Sequence, residues 1–255
     1  MACLSRIGGP LDHHLKLITK CQVHRLESGN LSATQQGPLT TMLYQSFLLV
    51  HILAGSIGLL MGPLAIAVKK GGLAHRRLGI VFYYAMLVVA SSALVLAILH
   101  NIPFLFAVGI FSGYMNITGY AILRQKRQGF LNQTGLLERV TSVLMLLFSL
   151  YFLGYGIYIL FQRDYFGLVF IFFAQSSFRM LWQDWRLFKQ QGVAPSTWLL
   201  VHLTRMIGTS IAAYTAFLVV NSSSRVSLVG WFLPTLLGVP IIVYWSRKLK
   251  KKRAL

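Results

Sequence analysis

The sequence predicts an all-α protein: a polytopic membrane helix bundle of about seven transmembrane helices, with its N-terminus outside and its C-terminus cytoplasmic. Three observations carry this. First, 56% of the 255 residues are hydrophobic, 11% are charged and the mean hydropathy is +0.64, an apolar excess that no soluble core of this size would hide. Second, the apolar residues fall into runs of bilayer-crossing length, since roughly 17 to 25 residues cover about 30 Å of hydrocarbon at 1.5 Å per residue. Third, Lys and Arg collect in every second break between the runs, as cytoplasmic loops do.

Residues 1–43 are expected to form a disordered tail. They are polar through Thr41, contain Gly9-Pro10 and Gly37-Pro38, and hold no run long enough for a signal peptide or a span. Met42 stands just before the first span and offers an alternative start. His13, His14, Cys21 and His24 match no closed zinc spacing and read as a chance cluster. Cys3 and Cys21 both lie in this tail, so no disulfide framework holds the hydrophobic body together.

A transmembrane domain follows over residues 44–246, with spans at 44–68, 78–99, 103–123, 136–161, 165–181, 198–220 and 228–245. The fifth is the shortest, and Gln175, Ser176 and Ser177 interrupt it. Lys69, Lys70, Arg76 and Arg77 follow the first span; Arg124, Lys126, Arg127 and Arg139 the third; Arg179, Arg186 and Lys189 the fifth. Residues 247–255 form a basic cytoplasmic tail. The alternate connections are nearly bare: none in 100–102, Arg163 beside Asp164, and Arg225 alone. One span more or fewer would break this alternation.

The formal charge of +19, from 24 basic and 5 acidic residues, would suggest nucleic acid in a soluble protein. Confined to breaks between spans, it implies instead anionic headgroups at the cytoplasmic face, and no nucleic acid. Tyr44, Tyr165, Trp182, Trp185, Trp198, Trp231 and Trp245 stand near span edges, as interfacial belts do. The pairs Gly58/Gly62 and Gly109/Gly113 have the spacing that lets helices approach closely.

Ionisable side chains inside a bilayer cost several kcal/mol (about 2.5–3.5 on insertion scales) unless satisfied, which makes them the candidates for function. His51 lies in the outer part of the first span, with Gly55, Gly58 and Gly62 on its face, so its imidazole is expected to point inward. Either a bond to a neighbouring carbonyl or hydroxyl, or a ligand or proton-relay role, satisfies that position. His202 lies in the inner part of the sixth span, with Arg205, Thr209 and Ala212 continuing its stripe. Asp184, in the preceding loop, is the nearest partner for Arg205. His75 opens the second span at the same inner boundary, where a plain interfacial histidine is the simpler reading. Depth thus groups His75 with His202, Arg205 and Asp184, while His51 and His100 lie toward the outside. A histidine pair on one side could ligate haem axially. His75, Arg205 and Asp184 would equally make an anion pocket, and Asn116 adds a mid-membrane hydrogen-bonding group.

Sharper chemistries fail on residues. The seventh span has no lysine for a retinal-type linkage, and no H-E-x-x-H, phosphate loop, dinucleotide fingerprint or G-x-S-x-G elbow is present.

His51-x-x-x-Gly55, Gly62-Pro63, Lys70-Gly71 and His75-Arg76-x-x-Gly79, with Phe82 and Met86, resemble the bacterial membrane-protein family called domain of unknown function 2306 (DUF2306). WQDWRLF (182–188), HLTRMIGTSIAAYTAFLVVN (202–221) and Trp231-x-x-Pro234 resemble its C-terminal half. The resemblance covers about residues 44–250. It implies a multipass fold in a bacterial cytoplasmic membrane, names no reaction, and maps the family's recurrent positions onto His51, His75, Asp184, His202 and Arg205. Three functions stay open on these residues: a haem or other cofactor-binding redox module, a small-solute or proton-coupled transporter using His51, Asn116 and His202, and a non-catalytic assembly subunit.

Overall fold

The computed structural model describes residues 38–100, 102–128, 136–163, 165, 167–189, 195–221 and 227–251. Most of the expected tail, Asp164 and Arg225 lie outside these residues. The described chain is all-helical: α1 (Pro38–Ala67), α2 (Leu73–Leu99), α3 (Pro103–Gln128), α4 (Leu136–Phe161), α5 (Gly167–Lys189), α6 (Pro195–Asn221) and α7 (Ser227–Lys251). Three helices open on proline, whose missing N–H is no loss in a first turn. Residues 38–43 belong to α1 and 247–251 to α7, so helix extends past both ends of the span region read from hydropathy.

Among the described residues, five helices are long and apolar enough to cross a membrane: Leu39–Ala67, Leu73–Leu99, Leu105–Leu123, Leu136–Phe161 and Thr197–Asn221. The protein is therefore an integral, multi-pass helical bundle. The other two are bundle-length but more polar: α5 carries Gln175, Arg179, Gln183, Asp184 and Arg186, and α7 ends in Arg247, Lys248, Lys250 and Lys251. Both run back along the helix before them. Gly167, at the start of α5, packs on Gly156 and Leu160 near the end of α4, and Gly238 of α7 lies against Ile211 of α6. α5 begins and ends later than its predicted span of 165–181, because polar and apolar residues separate onto opposite faces more sharply here than in any other helix. Its buried stripe is Phe170, Ala174, Ser177 and Leu187, and Phe172, Trp182 and Trp185 face outward. This corrects the position of Asp184, which sits inside α5 and not in a loop.

α3 is the central helix, buried around most of its circumference and packed on α2, α4 and α6. α1 packs on α2 and α6, and α7 on α6. Two apolar clusters clamp α5: Ala107, Phe152, Phe170 and Ala174 join it to α3 and α4, and Ile122, Leu187, Trp198 and Val201 join it to α3 and α6. Trp198 is therefore a buried core residue, not part of an interfacial belt.

In lipid the apolar effect gives helices little reason to prefer each other, so close packing at small residues matters more. Both glycine pairs serve this. A Cβ on Gly58 would lie 2.9 Å from Met86 Sδ, and one on Gly109 3.0 Å from a Leu94 methyl. The outward faces stay apolar, as with Leu53 and Leu60 on α1 and Val143 and Leu147 on α4. Most buried hydroxyls are satisfied within their own helix: Ser112, Thr118, Ser149, Ser177 and Thr209 each donate to the carbonyl four residues earlier.

Candidate functional site

α6 carries a charge into the span. Arg205 lies about 12 Å past Thr197 at 1.5 Å per residue, and is 3% exposed. A guanidinium there needs a partner, and α5 provides one. Arg205 Nη1–H donates to Asp184 Oδ2 at 3.0 Å and Nη2–H to Oδ1 at 2.5 Å, a bidentate pair. The Tyr114 hydroxyl of α3 donates to Asp184 Oδ2, and its ring stands 5.6 Å from the guanidinium carbon. Three helices thus meet at one ionic centre, in which Arg205 Nε is buried without a hydrogen-bond partner.

One turn earlier on α6, His202 bonds through Nδ1 to the carbonyl of Gly119 on α3, at 2.7 Å. The carbonyl only accepts, so Nδ1 carries the proton and Nε2 of the neutral ring keeps its lone pair. Gly119 is what permits this approach: a Cβ there would lie 2.9 Å from Arg205 Cβ. His75, in the first turn of α2, is held the same way, donating Nδ1–H to the carbonyl of Ala65 on α1 at 2.9 Å. α1 and α6 lie side by side and antiparallel, Leu59 against Tyr214 and Gly62 against Ser210, which carries both rings toward the same end of the bundle. Both are therefore fixed at Nδ1 with Nε2 left to act.

The Ala65 bond also caps α1. Lys70 Nζ reaches the carbonyls of Ala65 at 3.4 Å and Val68 at 3.3 Å and bonds that of Ile66, so the helix end is satisfied by two side chains from the turn after it. Burial pushes the Lys70 ammonium below the ordinary lysine value. Gly71, at φ +77°, makes the turn.

The remaining sequence candidates stand apart from this centre. His51 bonds through Nδ1 to Ser92 Oγ of α2 at 2.9 Å; that hydroxyl already donates to the Val88 carbonyl, so the imidazole is the donor. It lies about 21 Å along α1 from Ala65, given 1.5 Å per residue over their separation. His100 packs edge-on against Tyr44 at the same far end. Asn116 is fully buried and donates Nδ2–H to the Tyr83 carbonyl at 2.9 Å, with its Oδ1 unpartnered. Tyr114 and Gly119 were not singled out from sequence. An aromatic residue and a glycine in an apolar run read as packing, and neither a hydroxyl's partner nor a carbonyl's donor is written in composition.

Among the described residues no group of three or more His, Cys, Asp or Glu side chains is placed to hold a metal ion. The arrangement offers two imidazole nitrogens, an anchored carboxylate and a phenol. No family model, curated protein or solved structure matches the chain, and what the site does is argued from its own geometry.

Proposed function

We propose that this integral membrane protein, placed in a bacterial cytoplasmic membrane with its C-terminus inside, binds a redox cofactor at His75 and His202, haem being the group that fits best. What supports this is the way the two rings are held. Metal-ligating histidines almost always donate the second ring N–H to a carbonyl or carboxylate, which fixes tautomer and orientation and raises ligand basicity. His75 and His202 both do so, each to a backbone carbonyl. Two such donors suit haem iron, which needs only axial ligands from the protein, better than zinc, which asks for three or four. Bound there, haem would supply one-electron transfer. Arg76 and Arg77, exposed and next to His75 in sequence, would offer cationic groups to its propionates.

The chain's own residues have defined parts in this reading. Ala65 and Gly119 orient the rings, and the Arg205–Asp184–Tyr114 centre holds α3, α5 and α6 in register one turn deeper. His51, held by Ser92 at the other end of α1, takes no part. Detergent-purified protein should carry haem that is lost in His75→Ala and in His202→Ala and kept in His51→Ala. Equal haem content in all three would sink the assignment.

A second reading, proton-coupled transport, draws on one observation: a carboxylate bonded to a phenol and a guanidinium inside the bundle is a group whose protonation would repack three helices. It predicts proton-driven flux in proteoliposomes that Asp184→Asn abolishes, and no flux under any imposed gradient contradicts it.

A further inference from the structure

A groove of about 490 Å³ runs along the last turns of α7, lined by Pro240, Val243, Tyr244, Arg247 and Lys248. These positions recur at i, i+3, i+4, i+7 and i+8 and share one helix face, which is apolar at its deeper end and cationic at its outer end. The step from Pro240 to Arg247 is about 10 Å at 1.5 Å per residue. Beside the groove, Lys248 Nζ stands 5.0 Å from the Trp245 ring centre and 5.8 Å from that of Tyr244. Lys70 Nζ stands 4.8 Å from the same indole. Two ammonium groups thus share one ring, with Arg247 next to them. Among the described residues no carboxylate lies within ion-pair distance of any of the three. Like charges gathered in this way repel, and with Lys70 already held by the α1 carbonyls, Arg247 and Lys248 are the two left to meet an anion.

We propose that this groove binds one anionic phospholipid, its phosphate between Arg247 and Lys248 and an acyl chain along Pro240 and Val243. A lipid is the occupant the lining fits. The deeper half of the groove is apolar and continues onto the lipid-facing side chains Leu236, Leu237 and Val239, surface that a free anion would leave unused. Tyr244 and Trp245 stand at its mouth, the level at which amphipathic rings settle against headgroups. The site is separate from the imidazole pair and does not depend on a cofactor there.

The test is lipid retention by the full-length protein in nanodiscs of phosphatidylcholine doped with phosphatidylglycerol, counted by native mass spectrometry. Wild type should retain phosphatidylglycerol in preference to phosphatidylcholine. At about 5-fold per cation, from about 1 kcal/mol for each Lys or Arg near an anionic surface, R247Q/K248Q should weaken that retention roughly 25-fold. V243W keeps both charges and fills the groove, and should lower retention of the diacyl lipid as well; it decides the matter if the double variant does not fold. Equal retention of the two lipids by wild type would overturn the proposal, as would V243W retaining phosphatidylglycerol like wild type. So would displacement of the lipid by inorganic phosphate at comparable concentration, which would make this a site for free anions.

Discussion

At the residue scale the energetics concentrate on Arg205. Its guanidinium is buried in a bidentate pair, and removing one member of such a pair strands the other charge, at about 3–5 kcal/mol. Arg205→Ala and Asp184→Ala should each lower thermal stability in detergent by that order, and the double variant Arg205→Met/Asp184→Leu should recover most of the loss. A double variant no better than the singles would mean that the centre does more than neutralise itself. Tyr114→Phe removes one hydrogen bond to the carboxylate while keeping the ring, so it should cost about 1.5–3 kcal/mol. The same scale shows what could be read from sequence. Arg205 and Asp184 were legible as partners because a charge inside a span must find its opposite, and Asp184 is the nearest one along the chain. Tyr114 was not legible, since nothing separates a bonded phenol from a lipid-facing one until three helices meet.

At the scale of elements, the contact between α3 and α6 turns on Gly119. Its bare Cα lets Arg205 Cβ come close, and its carbonyl holds His202. Gly119→Ala should therefore cost roughly 1–3 kcal/mol by overpacking and disturb His202 as well. Gly154, which has open space where a Cβ would go, is the control; there the same change should gain up to about 1 kcal/mol of helix propensity. Comparable losses at both positions in a melting assay would show that the close approach does not matter. Hydropathy located the elements well, because five of the seven described helices are apolar over a bilayer-crossing length. It misjudged α5, where Asp184 turns inward to Arg205 and the outward face carries arginines among aromatics. An amphipathic helix packed on three neighbours lowers its own average hydropathy, so a window tuned to lipid-facing helices cuts it short.

At the scale of the whole molecule, the contacts draw the basic ends of α1, α2 and α7 to one end of the bundle. His75 meets the end of α1, Trp245 of α7 meets Lys70 after α1, and Tyr44 meets His100 at the other end. On the proposed topology, with the basic end cytoplasmic, a cysteine placed at His100 in a Cys3→Ser/Cys21→Ser background should react with an impermeant maleimide in intact cells. One placed at Lys69 should react only after permeabilisation, and the reverse pattern would invert the topology. The alternation of charge made this arrangement readable from sequence. Which side chains converge inside the bundle was not, because depth along a span ranks residues only by height and leaves their azimuth open.

The central claim is that His75 and His202 jointly hold one cofactor, and the low-temperature electron paramagnetic resonance spectrum of the purified, oxidised protein tests it most directly. A low-spin ferric signal of a haem with two imidazole ligands is expected, at one iron per chain, and it should be absent from His75→Ala and from His202→Ala. A preparation with no iron, or a haem signal indifferent to both histidines, would contradict it.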